Sequence, residues 1–284
     1  MHDGEVLADA DLVRALVADQ FPEWAGLPVV PLPPRGTDNL IFRLGDDLSV
    51  RMPRIAWAVD QVLLDQEWLP RIAPHLPCAI SSPVAVGEPA RGYPHPWAVH
   101  RWLPGDNPAP GEHVELARDL AQFVRAISDL TDGPASSRSG PLSTRDEAVR
   151  TALAEIADEV DHEAATAVWE EAVTAPEHDG PAVWRHADLT PGNLLVQDGR
   201  LVAVIDFGPS GLGDPAVDLV PFWRVFLGPA RTAFREALDY DEAAWVRARG
   251  WALSIAALEL AYYRTCDEPL ASAAREAIGE VLLP

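Results

Sequence analysis

The chain has 284 residues with 44 acids against 22 bases, a formal net charge of −22, and every base is an arginine. Such a balance excludes a nucleic-acid backbone or an anionic membrane as the main partner, since both demand a basic face, and favours a small cationic one. The lack of lysine excludes Schiff-base chemistry and a Walker-type phosphate loop, while 48% hydrophobic residues and 10 tryptophans are ample for a packed core.

Residues 9–21 carry Leu12, Val13, Leu16 and Val17 at helical spacing, with Asp9 or Asp11 placed to cap them. Three extended pieces follow at 29–32, 39–44 and 48–52, the last two flanking a Gly45-Asp46-Asp47 turn of hairpin type. Residues 58–72 return to a helical pattern, and 83–87 and 97–103 read as further strands. The breaker cluster at 104–108 is the expected domain boundary.

Beyond it the chain reads as mainly helical. Val114, Ala117, Leu120, Val124 and Ile127 mark one apolar stripe, and 132–140 has the composition of a flexible loop. Residues 145–174 form an acid-rich helical region, one β-hairpin interrupts at 194–207, and helices resume from 215. The stretch 146–179 holds 11 carboxylates and Arg150 as its one base, which reads as a solvated face or as a lip for a cationic substrate. Cys78 and Cys266 lie in no metal-type spacing and read as reduced, mostly buried thiols. The acidic N-terminus lacks an apolar leader and no run of 18 apolar residues occurs, so a soluble, cytoplasmic protein is expected.

Residues 185–219 carry the chemistry. Apolar strands at 194–197 and 201–205 flank Asp198-Gly199, the strongest short hairpin signal. With Gln197 paired to Arg200, Asn193 falls opposite Val204, and Asn193 and Asp206 emerge at the same end. An amide and a carboxylate there are hard oxygen ligands suited to Mg²⁺. Asp188, five residues before Asn193 on a loop tightened by Pro191 and Gly192, adds a carboxylate able to take a proton. Together these are the minimal equipment for phosphoryl transfer.

His186-x-Asp188-x₄-Asn193, followed by Asp206-Phe207-Gly208, resembles the catalytic and metal-binding loops of protein-kinase-like enzymes. Gly213-Asp214-Pro215-x-x-Asp218-Leu219 is similar to the aminoglycoside phosphotransferase family in particular. The resemblance extends upstream through Gly36-Thr37-Asp38-Asn39, the run at 50–54, Glu67-Trp68-Leu69-Pro70 and 99–105.

That resemblance implies a two-lobed α+β kinase-like fold. A nucleotide-binding lobe with a small antiparallel sheet would span 1–104, with a hinge near 99–105, and a larger, mainly helical catalytic and acceptor-binding lobe would span 105–284. Asp188 would orient or deprotonate the attacking hydroxyl, with His186 bracing its loop. Asn193 and Asp206 would hold Mg²⁺ against the phosphates of ATP or GTP. Gly36 and Asn39 would lie over those phosphates, and Arg101 and Leu103 would meet the purine at the hinge. The family's strand lysine has no counterpart, so Arg51 would take its place with Glu67 as helix partner, Arg54 being the competing assignment. Asp218, Glu259 and Tyr262 are candidate acceptor contacts, while Asp214 reads as a helix N-cap with Pro215 at the first helical position.

The implied reaction moves the γ-phosphoryl of the nucleotide to a hydroxyl of a small molecule, an aminoglycoside antibiotic first, which would confer resistance. A macrolide, choline, a sugar or an amino acid stands as the alternative acceptor, and a catalytically idle ligand-binding relative as the other class.

Overall fold

The structure, a computed structural model, describes residues 6–32 and 39–283. The chain divides into two compact units, Met1–Gly105 with Ala203–Gly208, and Asp106–Val202 with Pro209–Pro284. The short segment Ala203–Gly208 thus belongs with the N-terminal unit although it lies far along the chain.

In the smaller unit, helix α1 (Ala10–Gln20) is capped by Asp9, whose carboxylate accepts from the Leu12 amide. Strands β1 (Val29–Pro31), β2 (Asn39–Leu44) and β3 (Leu48–Pro53) precede helix α2 (Ala56–Ile72), and β4 (Ala79–Ile80), β5 (Pro83–Gly87) and β6 (Trp97–Arg101) follow it. Five of these strands form an antiparallel sheet in the order β1-β2-β3-β6-β5. Gly45, at φ +59, makes the β2–β3 turn that the sequence signals. Alternation along β2 and β3 sends Phe42, Leu44, Leu48, Val50 and Met52 into a core shared with Val13, Leu16 and Val17 of α1 and with Trp97 and Val99.

The larger unit contains α3 (Val114–Ser128), α4 (Asp146–Glu155), α5 (His162–Thr174), β7 (Val183–Arg185), β8 (Leu194–Gln197) and β9 (Arg200–Val204). It continues through β10 (Gly211–Gly213), α6 (Pro221–Arg224), α7 (Pro229–Glu236), α8 (Glu242–Tyr263) and α9 (Glu268–Leu282). Asp198 and Gly199 both take positive φ, at 52° and 75°, as the primed two-residue turn between β8 and β9 requires. The end of β9 crosses into the smaller unit, where Ala203 and Val204 pair in parallel with Ala79 and Ile80.

Three local expectations are corrected. The helical region over 145–174 is two helices, because Asp161 caps α5 by accepting from the Ala164 amide and ends the preceding turn. Segment 132–140 is fastened rather than loose: the Ser136 amide donates to the Leu212 carbonyl at 3.0 Å and its hydroxyl to the Pro209 carbonyl at 2.5 Å. Cys266 is exposed and Cys78 half-buried. Among the described residues, no helix is long and apolar enough to cross a membrane.

Candidate functional site

The smaller unit carries one half of the candidate machinery, centred on Arg51. Its Nη2 donates to the Asp206 carboxylate at 2.9 Å, and its Nη1 lies 4.0 Å from Asp65. Arg51 pairs across the sheet with Ile41, so Asn39, two residues along β2, projects from the same face. With its amide oxygen turned to the guanidinium, Asn39 accepts from Nη2 at 3.1 Å and Nε at 3.0 Å. Asp206 itself sits at φ +62, a left-handed conformation that aspartate tolerates better than most residues.

Glu67 was the expected partner of Arg51, and the structure replaces it with Asp65. Glu67 is half-exposed and pairs with Arg71 at 3.6 Å. Asp65 continues the buried stripe Ala58, Val62, Leu69 and Ile72 of α2, whose spacing of four and three residues brings it onto the inner face. A lone acid on an apolar stripe was the signal available in the sequence. Burial pushes the Asp65 carboxyl up to about 6, against the opposing pull of Arg51 and of the Gln61 amide that donates to it at 2.5 Å. His100 on β6 is likewise buried, its Nδ1 at 2.9 Å from the Ser81 carbonyl, and burial followed by the Arg51 charge brings it down to about 4.

Arg54 lies just past the end of β3, where its carbonyl accepts from the Val6 amide. Arg101 closes β6 in register with Leu48 and is exposed; Leu103 is half-buried. Gly36 lies outside the described residues.

The other half lies in the larger unit, on the loop after β7. Ala187 is held at φ +66, which costs an alanine free energy, and buried Asp218 holds it there. The Asp218 carboxylate accepts from the amides of His186 at 2.8 Å and Ala187 at 2.7 Å. Asp218 was a candidate acceptor contact; fully buried, it is a brace for the loop instead. The Asp188 amide donates to His186 Nδ1 at 3.2 Å. Asn193 Nδ2 donates to both the carbonyl and the carboxylate of Asp188, each at 2.9 Å, which turns its amide oxygen away from them. Asn107 holds the same loop by donating to the carbonyls of Gly192 and Leu194, each at 2.9 Å.

Two arginines that the sequence reading passed over complete this half. Arg138 Nη1 lies 3.2 Å from the Asp188 carboxylate and also donates to the Ala187 carbonyl. Arg185 is fully buried and spends its guanidinium on the carbonyls of Asp214 at 2.8 Å and Arg138 at 3.0 Å. Asp214 caps the following 3₁₀ turn through the Ala216 amide, as expected, and also binds Arg247 at 2.7 Å. The remaining acceptor candidates do not join Asp188: Glu259 is paired with Arg224 at 2.7 Å, and half-exposed Tyr262 packs edge-on against Tyr263.

The model of the phosphotransferase enzyme family abbreviated APH matches residues 29–251. The chain belongs to this family. It is therefore a small-molecule phosphotransferase with a kinase-like fold, as the sequence resemblance implied. The uncharacterized protein YcbJ of Bacillus subtilis (strain 168) is 26% identical over 227 residues, 77% of this chain and 69% of its own. The GDP complex of wild-type aminoglycoside 2'-phosphotransferase-IIIa superposes with a TM-score of 0.69 at 19% identity, covering 97% of this chain and 99% of that one. The macrolide 2'-phosphotransferase MphH from Brachybacterium faecium gives 0.61 at 22% identity, covering 95% and 97%. At those identities the two solved structures share the fold with this phosphotransferase.

Proposed function

We propose that this phosphotransferase moves the γ-phosphoryl of ATP or GTP, with Mg²⁺, to a hydroxyl of a small molecule. The observation that carries the reading is the Asp188–Asn193 pair, a carboxylate oriented by an amide on a loop braced by buried Asp218. Asp188 takes the hydroxyl proton as the oxygen–phosphorus bond forms and the bond to the β-phosphate oxygen breaks, leaving a phosphate ester and the nucleoside diphosphate. Arg51, held by Asp206 and Asn39, binds nucleotide phosphate in place of a lysine; its planar fork serves oxyanions on both sides. Arg101 and Leu103 meet the base.

The donor chemistry fits Mg²⁺. Asn193, its Nδ2 spent on Asp188, has an amide oxygen turned away from that residue, and Asp206 has a half-exposed carboxylate; both are hard ligands, few enough to leave room for phosphates and water. When bound, the ion neutralises charge developing on the phosphates.

For the acceptor, the net charge of −22 and the likeness to an aminoglycoside phosphotransferase support an aminoglycoside. A different small acceptor is the second reading, favoured by the arginine placed against Asp188. Calorimetry of nucleotide with and without Mg²⁺, followed by nucleotide turnover against aminoglycosides, macrolides and small metabolic alcohols, tests both. Mg²⁺-dependent binding and turnover stimulated by one class are expected; binding that ignores Mg²⁺ would remove the proposed metal role.

A further inference from the structure

Arg145 stands out among the partly or fully buried arginines of the larger unit: Arg185 and Arg249 also lack a carboxylate but spend their guanidinium groups on backbone carbonyls. Arg150, Arg224, Arg231, Arg247, Arg264 and Arg275 each have a carboxylate within 4.0 Å. Arg145 has none among the described residues, although it is partly buried in a chain with twice as many acids as bases. Its sequence neighbour Asp146 is committed to Arg150 at 2.9 Å and to the Trp169 indole at 2.8 Å.

Two contacts fix the orientation of this guanidinium. Nε donates to buried Ser254 at 2.6 Å, and the group lies 5.2 Å from the ring centroid of Trp251, one helical turn away on the same face of α8. The Nη pair makes no hydrogen bond to a described residue, and neither atom is sealed from solvent. A cation held this way without a counter-ion is costly, and its fork has the shape of a carboxylate or phosphate. Burial and the like charge of Arg138 lower Arg145 to about 10, still protonated at neutral pH. Arg138, whose charge acts on Arg145, is the residue 3.2 Å from the Asp188 carboxylate, so both cations act in the electrostatic surroundings of the proposed base.

We propose that the acceptor carries an oxyanion group, carboxylate or phosphate, that docks on the Nη fork of Arg145 and sets the reacting hydroxyl at Asp188. The proposal rests on the phosphotransferase reading and takes the second of its acceptor classes, a hydroxylated small anion. Net charge does not oppose it. Solvent-exposed charges are screened beyond about 8 Å at physiological ionic strength, so at contact the nearby arginines outweigh distant carboxylates.

The test measures nucleotide turnover by the full chain with hydroxy acids such as glycerate and homoserine, with sugar phosphates such as glucose 6-phosphate, with neutral glycerol, and with kanamycin and choline. Stimulation by the hydroxy acids marks the group as a carboxylate, and stimulation by the sugar phosphates marks it as a phosphate; either is the expected result. Arg145→Met should then raise KM for the anion by about 10–100-fold, the worth of hydrogen bonds to a charged group, with kcat and the neutral acceptor little changed. Ser254→Ala, which removes only the orienting hydroxyl, should raise the same KM by less. Turnover confined to kanamycin or choline, or no stimulation by any anion, would overturn the proposal. So would an Arg145→Met loss equal for anionic and neutral acceptors, since that marks a merely structural role. Failure of Mg²⁺-dependent nucleotide binding by calorimetry would separately overturn the phosphotransferase mechanism.

Discussion

Asp188 depends on neighbours that do no chemistry. Asn193 turns its carboxylate, Arg138 faces it, and Asp218 keeps Ala187 left-handed one residue before it. Replacing Asp188 by Ala should lower turnover by about 10²–10⁴-fold, the usual worth of a general base, with nucleotide affinity by calorimetry unchanged. A wild-type rate in that variant would remove Asp188 from the mechanism. Gly213 matters for space: a Cβ there would stand 2.1 Å from Nη2 of buried Arg185. Gly213→Ala should therefore cost about 1–3 kcal/mol in urea denaturation, as overpacking does. An unchanged midpoint would mean that the Arg185 guanidinium yields without losing its carbonyl partners.

Within β3, β6 and α2 of the smaller unit, two buried titrating groups oppose each other. His100 falls from its ordinary 6.5 to about 4, so the native state binds fewer protons than the unfolded chain in that window, and stability drops as pH falls through it. Asp65 rises from 3.8 to about 6, so the native state binds more protons, and stability drops as pH rises through that range. Each effect is roughly 3 kcal/mol at 1.36 kcal/mol per pH unit, and the two nearly cancel. His100→Phe should leave a unit that loses stability from pH 4 to 6, while Asp65→Asn should leave one that gains it. Chemical denaturation in the presence of a chelator reads both slopes; equal slopes in the two variants would refute the assignment. Elements were largely legible in sequence because hydrophobic period and turn chemistry are local. The β2–β3 and β8–β9 turns followed from Gly45 and from Asp198-Gly199, whose positive φ no distant contact need impose. Segment 132–140 was not legible, since its small polar residues are ordered by Leu212 and Pro209, more than seventy positions away.

At the scale of the whole molecule, 44 acids against 22 arginines mean net self-repulsion at neutral pH. Raising salt through the range that shortens the Debye length from about 30 to 8 Å should raise Tm by about 2–4 °C. A lower Tm in salt would show that surface pairs such as Arg200–Asp119 and Arg91–Asp19 outweigh the repulsion. Four of the 11 carboxylates at 146–179 are in ion pairs: Asp146 and Glu170 with Arg150, Asp158 with Arg264, and Glu159 with Arg264 and Arg275.

The sequence by itself determined the family and the kinase-like fold, and it set Asp188 five residues before Asn193, a spacing that one short loop translates directly into contact. The absence of lysine likewise made an arginine necessary wherever a phosphate-binding cation is required. Only the tertiary structure decided which acid faces Arg51, since Asp65 and Glu67 are two residues apart on one helix and differ only in the side they present. It alone brought Arg138 to Asp188 across fifty residues and left Arg145 without a carboxylate among the described residues. Pairing between distant charges depends on which faces the folded chain brings together, and neither local period nor composition encodes that.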